Sequence, residues 1–175
     1  MRTSQAWWDE VLRDEALLIT WLKKQYHGEL TAADRVKQFA DEYAEHGSRI
    51  HRIVSCIAAQ ESQHASWVKD LLVARGIPAE RLVKEERYWK QTLHGIDSLE
   101  TGAGVAAHAE IMRLERIRVI VEHAETPEDI RKVFAKILPQ EEFHARAFSD
   151  IAGEDALLRT RENHERGLRT LGLVA

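Results

Sequence analysis

Over four long stretches of this chain the apolar residues return at steps of three and four, and each stretch far exceeds the ~5 to 6 residues of an average strand. That spacing places them on one face of a helix, and with prolines only at positions 78, 127 and 139 little interrupts it. The fold class is therefore all-α. The first helix is predicted from about Asp14, with a short lead-in from Trp7, to about Glu45, stopping at His46-Gly47. The second runs from Ser48 to the stop Arg75-Gly76-Ile77-Pro78. Residues 78–97 form a charged connection with one helix expected over Ala79 to Gln91. The third helix opens at Asp97-Ser98-Leu99-Glu100, which has the spacing of a capping box, and continues to about Ala124. The fourth opens with Thr126 as N-cap and Pro127 at the first helical position, and ends at Gly153. A fifth, charged helix covers about Glu154 to Arg169.

Each of the four main helices carries one apolar stripe, as the core of a four-helix bundle requires, and each stripe is interrupted. On the second helix Ile50, Ile53, Ile57, Glu61, His64, Val68 and Leu71 share a face; on the fourth Ile130, Phe134, Ile137, Glu141, His144, Phe148 and Ile151 do. The third contributes Ala103, Ala107, Glu110, Leu114, Ile117 and Val121, and the first Leu18, Leu22, Tyr26, Glu29, Ala33, Val36, Ala40 and Tyr43. A Glu-x-x-His pair alone arises about once by chance in a chain this rich in Glu and His, so the weight rests on position. Thirty-two residues separate Glu29 from Glu61 and 31 separate Glu110 from Glu141, with the turn signals near both midpoints. Ligands equidistant from a turn lie level in an antiparallel pair. Two similar halves thus each bring a Glu and a Glu-x-x-His to one height.

An ionised carboxylate buried without a partner costs several kcal/mol, so four of them on apolar faces call for positive charge between them. Two divalent cations neutralise a ligand charge of −4, with two Glu bridging, two terminal, and one neutral imidazole on each ion. Carboxylate oxygen with one imidazole per metal suits iron or manganese, whereas structural zinc more often recruits thiolates.

Those stretches, Gly28-Glu29-Leu30, Gln60-Glu61-Ser62-Gln63-His64, Glu110 and Gln140-Glu141-Glu142-Phe143-His144, resemble the ligand pattern of the ferritin-like di-iron carboxylate superfamily, bacterioferritin and rubrerythrin above all, over roughly residues 14–152. The resemblance implies a ferritin-like antiparallel four-helix bundle with a long crossover, here with an additional C-terminal helix, binding two iron ions (or manganese). It implies Glu29 and Glu110 as terminal ligands, Glu61 and Glu141 as bridging ligands, and His64 and His144 as the imidazole ligands. Three departures stand out. Rubrerythrin-like sites have a further Glu one turn beyond the third-helix ligand; here that position is Arg113, which speaks against peroxidase chemistry through a shifting iron ligand. Bacterioferritin holds haem through a Met after the second-helix Glu, where this chain has Ser62. The tyrosine that both groups carry two turns after the first Glu is Val36.

Other residues admit two readings. Tyr26, one turn before Glu29, is a redox or hydrogen-bonding neighbour of the site, or packing. Arg113 pairs with a ligand carboxylate, or is an exposed helix arginine. His51 and His108 are proton relays, or simply solvated or packed. Cys56 reads as a small core residue, and Trp7 with Trp8 as a subunit contact or a lead-in packed on its own bundle.

Composition closes other routes. The net charge of −4 with no basic stripe gives nucleic acid no footprint. Cys56, the lone cysteine, cannot build an internal disulfide or a rubredoxin-type iron centre, and it fits a reducing compartment. The run closest to a membrane segment, Ala16 to Leu22, is far short of the ~20 residues of a membrane span, and the N-terminus lacks an apolar signal core. The expectation is a single cytoplasmic ferritin-like domain over residues 1–175, without nucleic-acid or membrane partners and forming a homo-oligomer. It performs redox chemistry with dioxygen or hydrogen peroxide and draws on an external electron donor. The alternatives are a di-iron mono-oxygenase acting on a small organic substrate and a subunit of an iron-storage shell.

Overall fold

The computed structural model describes residues 3–83 and 87–173. Its helices are α1 (Ser4–Leu12), α2 (Glu15–Tyr43), α3 (Arg49–Val73), α4 (Arg87–Thr92), α5 (Leu99–Glu122) and α6 (Glu128–Thr170), with one 3-10 turn at Leu93–Gly95. No strand occurs among the described residues. Side-chain oxygens start most of the long helices: Asp14 accepts from the Ala16 amide, Ser48 from His51 and Ser98 from Thr101. The capping box of α5 is formed by Ser98 and Thr101, not by Asp97 and Glu100, because the Thr101 hydroxyl also accepts from the backbone of the cap.

The long helices cross two apolar clusters with the polar stripe members between them. One cluster gathers Trp8, Trp21, Leu22, Val68, Leu72, Ile117, Ile120, Ile130, Phe134 and Ile137. The other gathers Ala40, Val54, Ile57, Ala103, Ala107, Phe148, Ala152 and Ala156. Helices α2 and α6 run from the first cluster to the second, and α3 and α5 from the second to the first. The long helices α3 and α5 are therefore parallel, and the connection between them must return the chain along the bundle before α5 can begin. A helix the length of α3 spans about 37 Å, which is why this connection is long. The pairs α2 with α3 and α5 with α6 are the intimate antiparallel hairpins.

Several expectations change at element ends. The crossover helix is only Arg87–Thr92; residues 79–83 are irregular, and residues 84–86, inside the expected helix, lie outside the described set. Pro127, with φ −51° and ψ 136°, is the N-cap of α6, and the Thr126 hydroxyl instead accepts from Trp8 Nε1 at 2.7 Å. Trp8 is fully buried, 4.6 Å from the Trp21 ring, so the lead-in packs on its own bundle. Cys56 is exposed rather than a core residue. Pro139 leaves the dihedrals of α6 helical; the break falls at Gly153, where φ 68° and ψ 171° suit a residue without Cβ. Beyond it the helix doubles as the fifth helix expected from the sequence and packs on α5. A Cβ on Gly104 would meet Thr160 Oγ1 at 2.8 Å and the Ala156 carbonyl at 3.2 Å. The same arm ties down the crossover, because Tyr88 and His164 share a hydrogen bond of 2.7 Å. Among the described residues no helix is long and apolar enough to cross a membrane.

Candidate metal centre

Between the two apolar clusters, α2 delivers Glu29, α3 Glu61 and His64, α5 Glu110, and α6 Glu141 and His144. The i, i+3 spacing on α3 and α6 turns each Glu and His to the same side, and the equal distances from the turns bring all six residues level. All are buried, Glu110 being the most exposed at 7 %.

Two groups of donors result. Glu29, Glu61, His64 and Glu141 each offer one atom within 4.8 Å of the others, and so do Glu61, Glu110, Glu141 and His144. Glu61 and Glu141 belong to both. Their oxygens divide between the imidazoles. His64 Nδ1 lies 3.3 Å from Glu141 Oε1 and 3.8 Å from both Glu61 Oε2 and Glu29 Oε2. His144 Nδ1 lies 3.1 Å from Glu61 Oε1 and 3.7 Å from Glu141 Oε2.

Two glutamines orient the rings. His64 Nε2 is 2.8 Å from Gln140 Oε1 and His144 Nε2 is 2.9 Å from Gln60 Oε1, each pair spanning α3 and α6. An amide oxygen only accepts, so each imidazole donates from Nε2 and aims Nδ1 at the carboxylates. The sequence reading assigned Gln60 and Gln140 no role. Their signal was the repeated Gln-Glu preceding x-x-His, whose first residue is one helical step before the ligand.

Arg113, one turn after Glu110 on α5, takes the inward alternative. Its guanidinium contacts Glu29 Oε2 and lies 3.2 Å from Glu141 Oε1 and 3.5 Å from Glu61 Oε2. Its side chain is 22 % exposed, whereas the carboxylates it contacts are fully buried.

These neighbours set the protonation of the metal-free site. Burial pushes the Glu29 carboxyl up to about 8 against the pull of Arg113, and burial together with Glu141 and Glu61 raises Glu110 well above the usual range. Burial also opposes the charge of Glu61 and Glu141, yet Arg113 and the two imidazoles keep both ionised, Glu61 down at about 2. Burial resists protonation of His64, but Glu141, Glu61 and Glu29 lift it to about 10; His144 is raised in the same way by Glu141 and Glu61.

The donor set fits a metal pair. Ion-pair contacts aside, both oxygens of Glu29 and of Glu141, Glu61 Oε1, Glu110 Oε2 and Nδ1 of both histidines have no hydrogen-bond partner although they are buried. Hard oxygens with one imidazole nitrogen in each group, and no thiolate, match iron or manganese.

The remaining sequence candidates lie elsewhere. Tyr26 is half-buried against the first apolar cluster. His51 lies tilted against His46 near the α2–α3 turn, 3.7 Å from Asp41. His108 stacks on His164 and reaches the Leu157 carbonyl at 3.1 Å. Glu142 faces away and pairs with Arg118.

No curated protein and no solved structure matches the chain. The sequence model of the Rubrerythrin family does match, over residues 21–152, which takes in all six site residues, α2 from Trp21 onward, α3, α5 and α6 up to the Gly153 break. With that coverage and with its ferritin-like helical bundle, this chain belongs to the Rubrerythrin family.

Proposed function

We propose that this protein is a di-iron oxidoreductase that acts on dioxygen or hydrogen peroxide and is re-reduced by an external electron donor. The overlap of the two donor groups in Glu61 and Glu141 supports this reading, because two shared carboxylates are what a pair of adjacent metal positions needs. Glu29 and His64 complete one position, and Glu110 and His144 the other. Bound iron supplies the redox equivalents that reduction of dioxygen or peroxide requires, and manganese fits the same donors. The protein's part is to hold the donors and keep water out. Gln140 and Gln60 fix the Nδ1 atoms toward the carboxylates. The flanking clusters around Phe134 and Phe148 dehydrate the site, which strengthens every charge interaction inside it. Arg113 adds a permanent positive charge on the solvent side.

The test is an anaerobic Fe(II) titration followed by separate stopped-flow exposure to dioxygen and to hydrogen peroxide. Two irons per chain and oxidation faster than that of free Fe(II) are expected, with both irons lost in Glu61→Ala. Absence of Fe(II) binding, or unchanged binding in Glu61→Ala, overturns the reading. Continued iron uptake with a large shell in size-exclusion chromatography points to storage instead.

A further inference from the structure

The three oxygens that Arg113 contacts are Glu29 Oε2, Glu61 Oε2 and Glu141 Oε1. The same three oxygens converge on His64 Nδ1. The guanidinium therefore occupies the donors of the position built on His64. The other position uses different atoms: Glu61 Oε1 and Glu141 Oε2 face His144 Nδ1, and Glu110 Oε2 is buried without a hydrogen-bond partner.

We infer that Arg113 is a resident cation that makes the two metal positions unequal: the position of Glu61, Glu110, Glu141 and His144 loads first and tightly. The position of Glu29 and His64 fills only when the guanidinium leaves its three oxygens. This rests on the two-position reading above. A divalent cation at the second step competes with a fixed positive charge for donors and is repelled by it in a dry interior, where charge interactions far exceed those in water. The side chain has somewhere to go. It is 22 % exposed and sits on the solvent side of the site, whereas all six donor residues are buried. Its flexible stem and bidentate head suit a group that clamps carboxylates and then releases them.

Calorimetric titration of the metal-free protein with Mn(II), followed by electron paramagnetic resonance, tests this without turnover. Wild type is expected to bind one Mn(II) tightly, as an isolated ion, and a second at least about tenfold more weakly. In Arg113→Gln the two affinities are expected within about threefold of each other, the second step having tightened, and spin-coupled pairs appear before one equivalent of metal has been added. Arg113→Lys keeps a charge there and retains the inequality. In the wild-type background Glu110→Gln abolishes the tight step while Glu29→Gln spares it, and this pair decides the matter should Arg113→Gln fail to fold. Equal affinities in wild type, an inequality that survives in Arg113→Gln, or loss of the tight step in Glu29→Gln overturns the inference alone. No Mn(II) or Fe(II) binding by any variant overturns the two-position reading with it.

Discussion

Replacing Gln140 by Leu isolates what the amide does for His64, because the two side chains are similar in size and leucine cannot accept a hydrogen bond. The bond lost is 2.8 Å long and serves a ring that is fully buried. A buried N–H left without an acceptor costs ~1–3 kcal/mol. The neutral ring that metal binding requires also loses the partner that keeps its proton on Nε2, so part of that neutral population carries it on Nδ1 and has no lone pair for a metal. Removing such a supporting bond typically weakens metal affinity ~10–100-fold, equivalent to ~1.4–2.8 kcal/mol, which agrees with the hydrogen-bond estimate. Since His64 belongs to only one of the two donor groups, one binding step is expected to weaken by that factor while the other stays within about threefold. Gln60→Leu, acting on His144, is expected to weaken the opposite step. Competition of Mn(II) against a chromophoric chelator reads both steps, with circular dichroism confirming the fold. Unchanged steps, or both lowered equally by either substitution, would refute the assignment of one glutamine to each position.

Metal affinity is expected to rise with pH. Glu29, pushed up to about 8, and His64, at about 10, carry protons at neutral pH and must release them to bind, so the affinity gains about tenfold per pH unit for each proton displaced. Titration at one pH in buffers of different ionisation enthalpy measures that release, and a buffer-independent heat contradicts it. Thr126→Val leaves Trp8 Nε1 buried without its 2.7 Å acceptor, and thermal melting is expected to fall by roughly 3–10 °C, corresponding to ~1–3 kcal/mol. An unchanged melting temperature removes that bond from the account. Gly153→Ala forces a Cβ onto a residue at φ 68° and ψ 171° and is expected to cost ~1–3 kcal/mol, or roughly 3–10 °C, whereas Ala substitution at the exposed helical Ser62 is neutral. Equal effects at the two sites would mean that the break at Gly153 carries no strain.

The bundle and its six polar core residues were legible because helical period and hydrophobicity are properties of sequence neighbours. Glu61 with His64, and Glu141 with His144, needed nothing beyond the geometry of one helical turn. Element ends were less legible where partners distant in the chain compete for the same groups. Thr126 reads as an N-cap until Trp8, 118 residues away, takes its hydroxyl. Cys56 reads as core, but the face of α3 toward the second cluster is filled by Val54 and Ile57, and the cysteine turns outward. Arg113 carried a readable signal, its i+3 spacing from Glu110, yet whether a long flexible side chain folds inward depends on carboxylates supplied by three other helices.

That inward turn also changes the charge argument for a metal. Four buried carboxylates need compensation, but the chain provides much of it before any ion arrives. Burial, with Arg113 too weak to offset it, keeps Glu29 protonated, and burial with the neighbouring carboxylates does the same for Glu110. The two that remain ionised, Glu61 and Glu141, face Arg113, His64 and His144. Charge alone therefore permits a folded, metal-free bundle, and it does not by itself demand iron. What demands an occupant is direction. Nδ1 atoms aimed by glutamines and carboxylate oxygens without hydrogen-bond partners converge from four helices, and Arg113 satisfies only the three oxygens under it. Glu110 Oε2, and His144 Nδ1 with Glu61 Oε1, lie beyond the guanidinium's contacts, so the arginine leaves that group of donors open to a further cation.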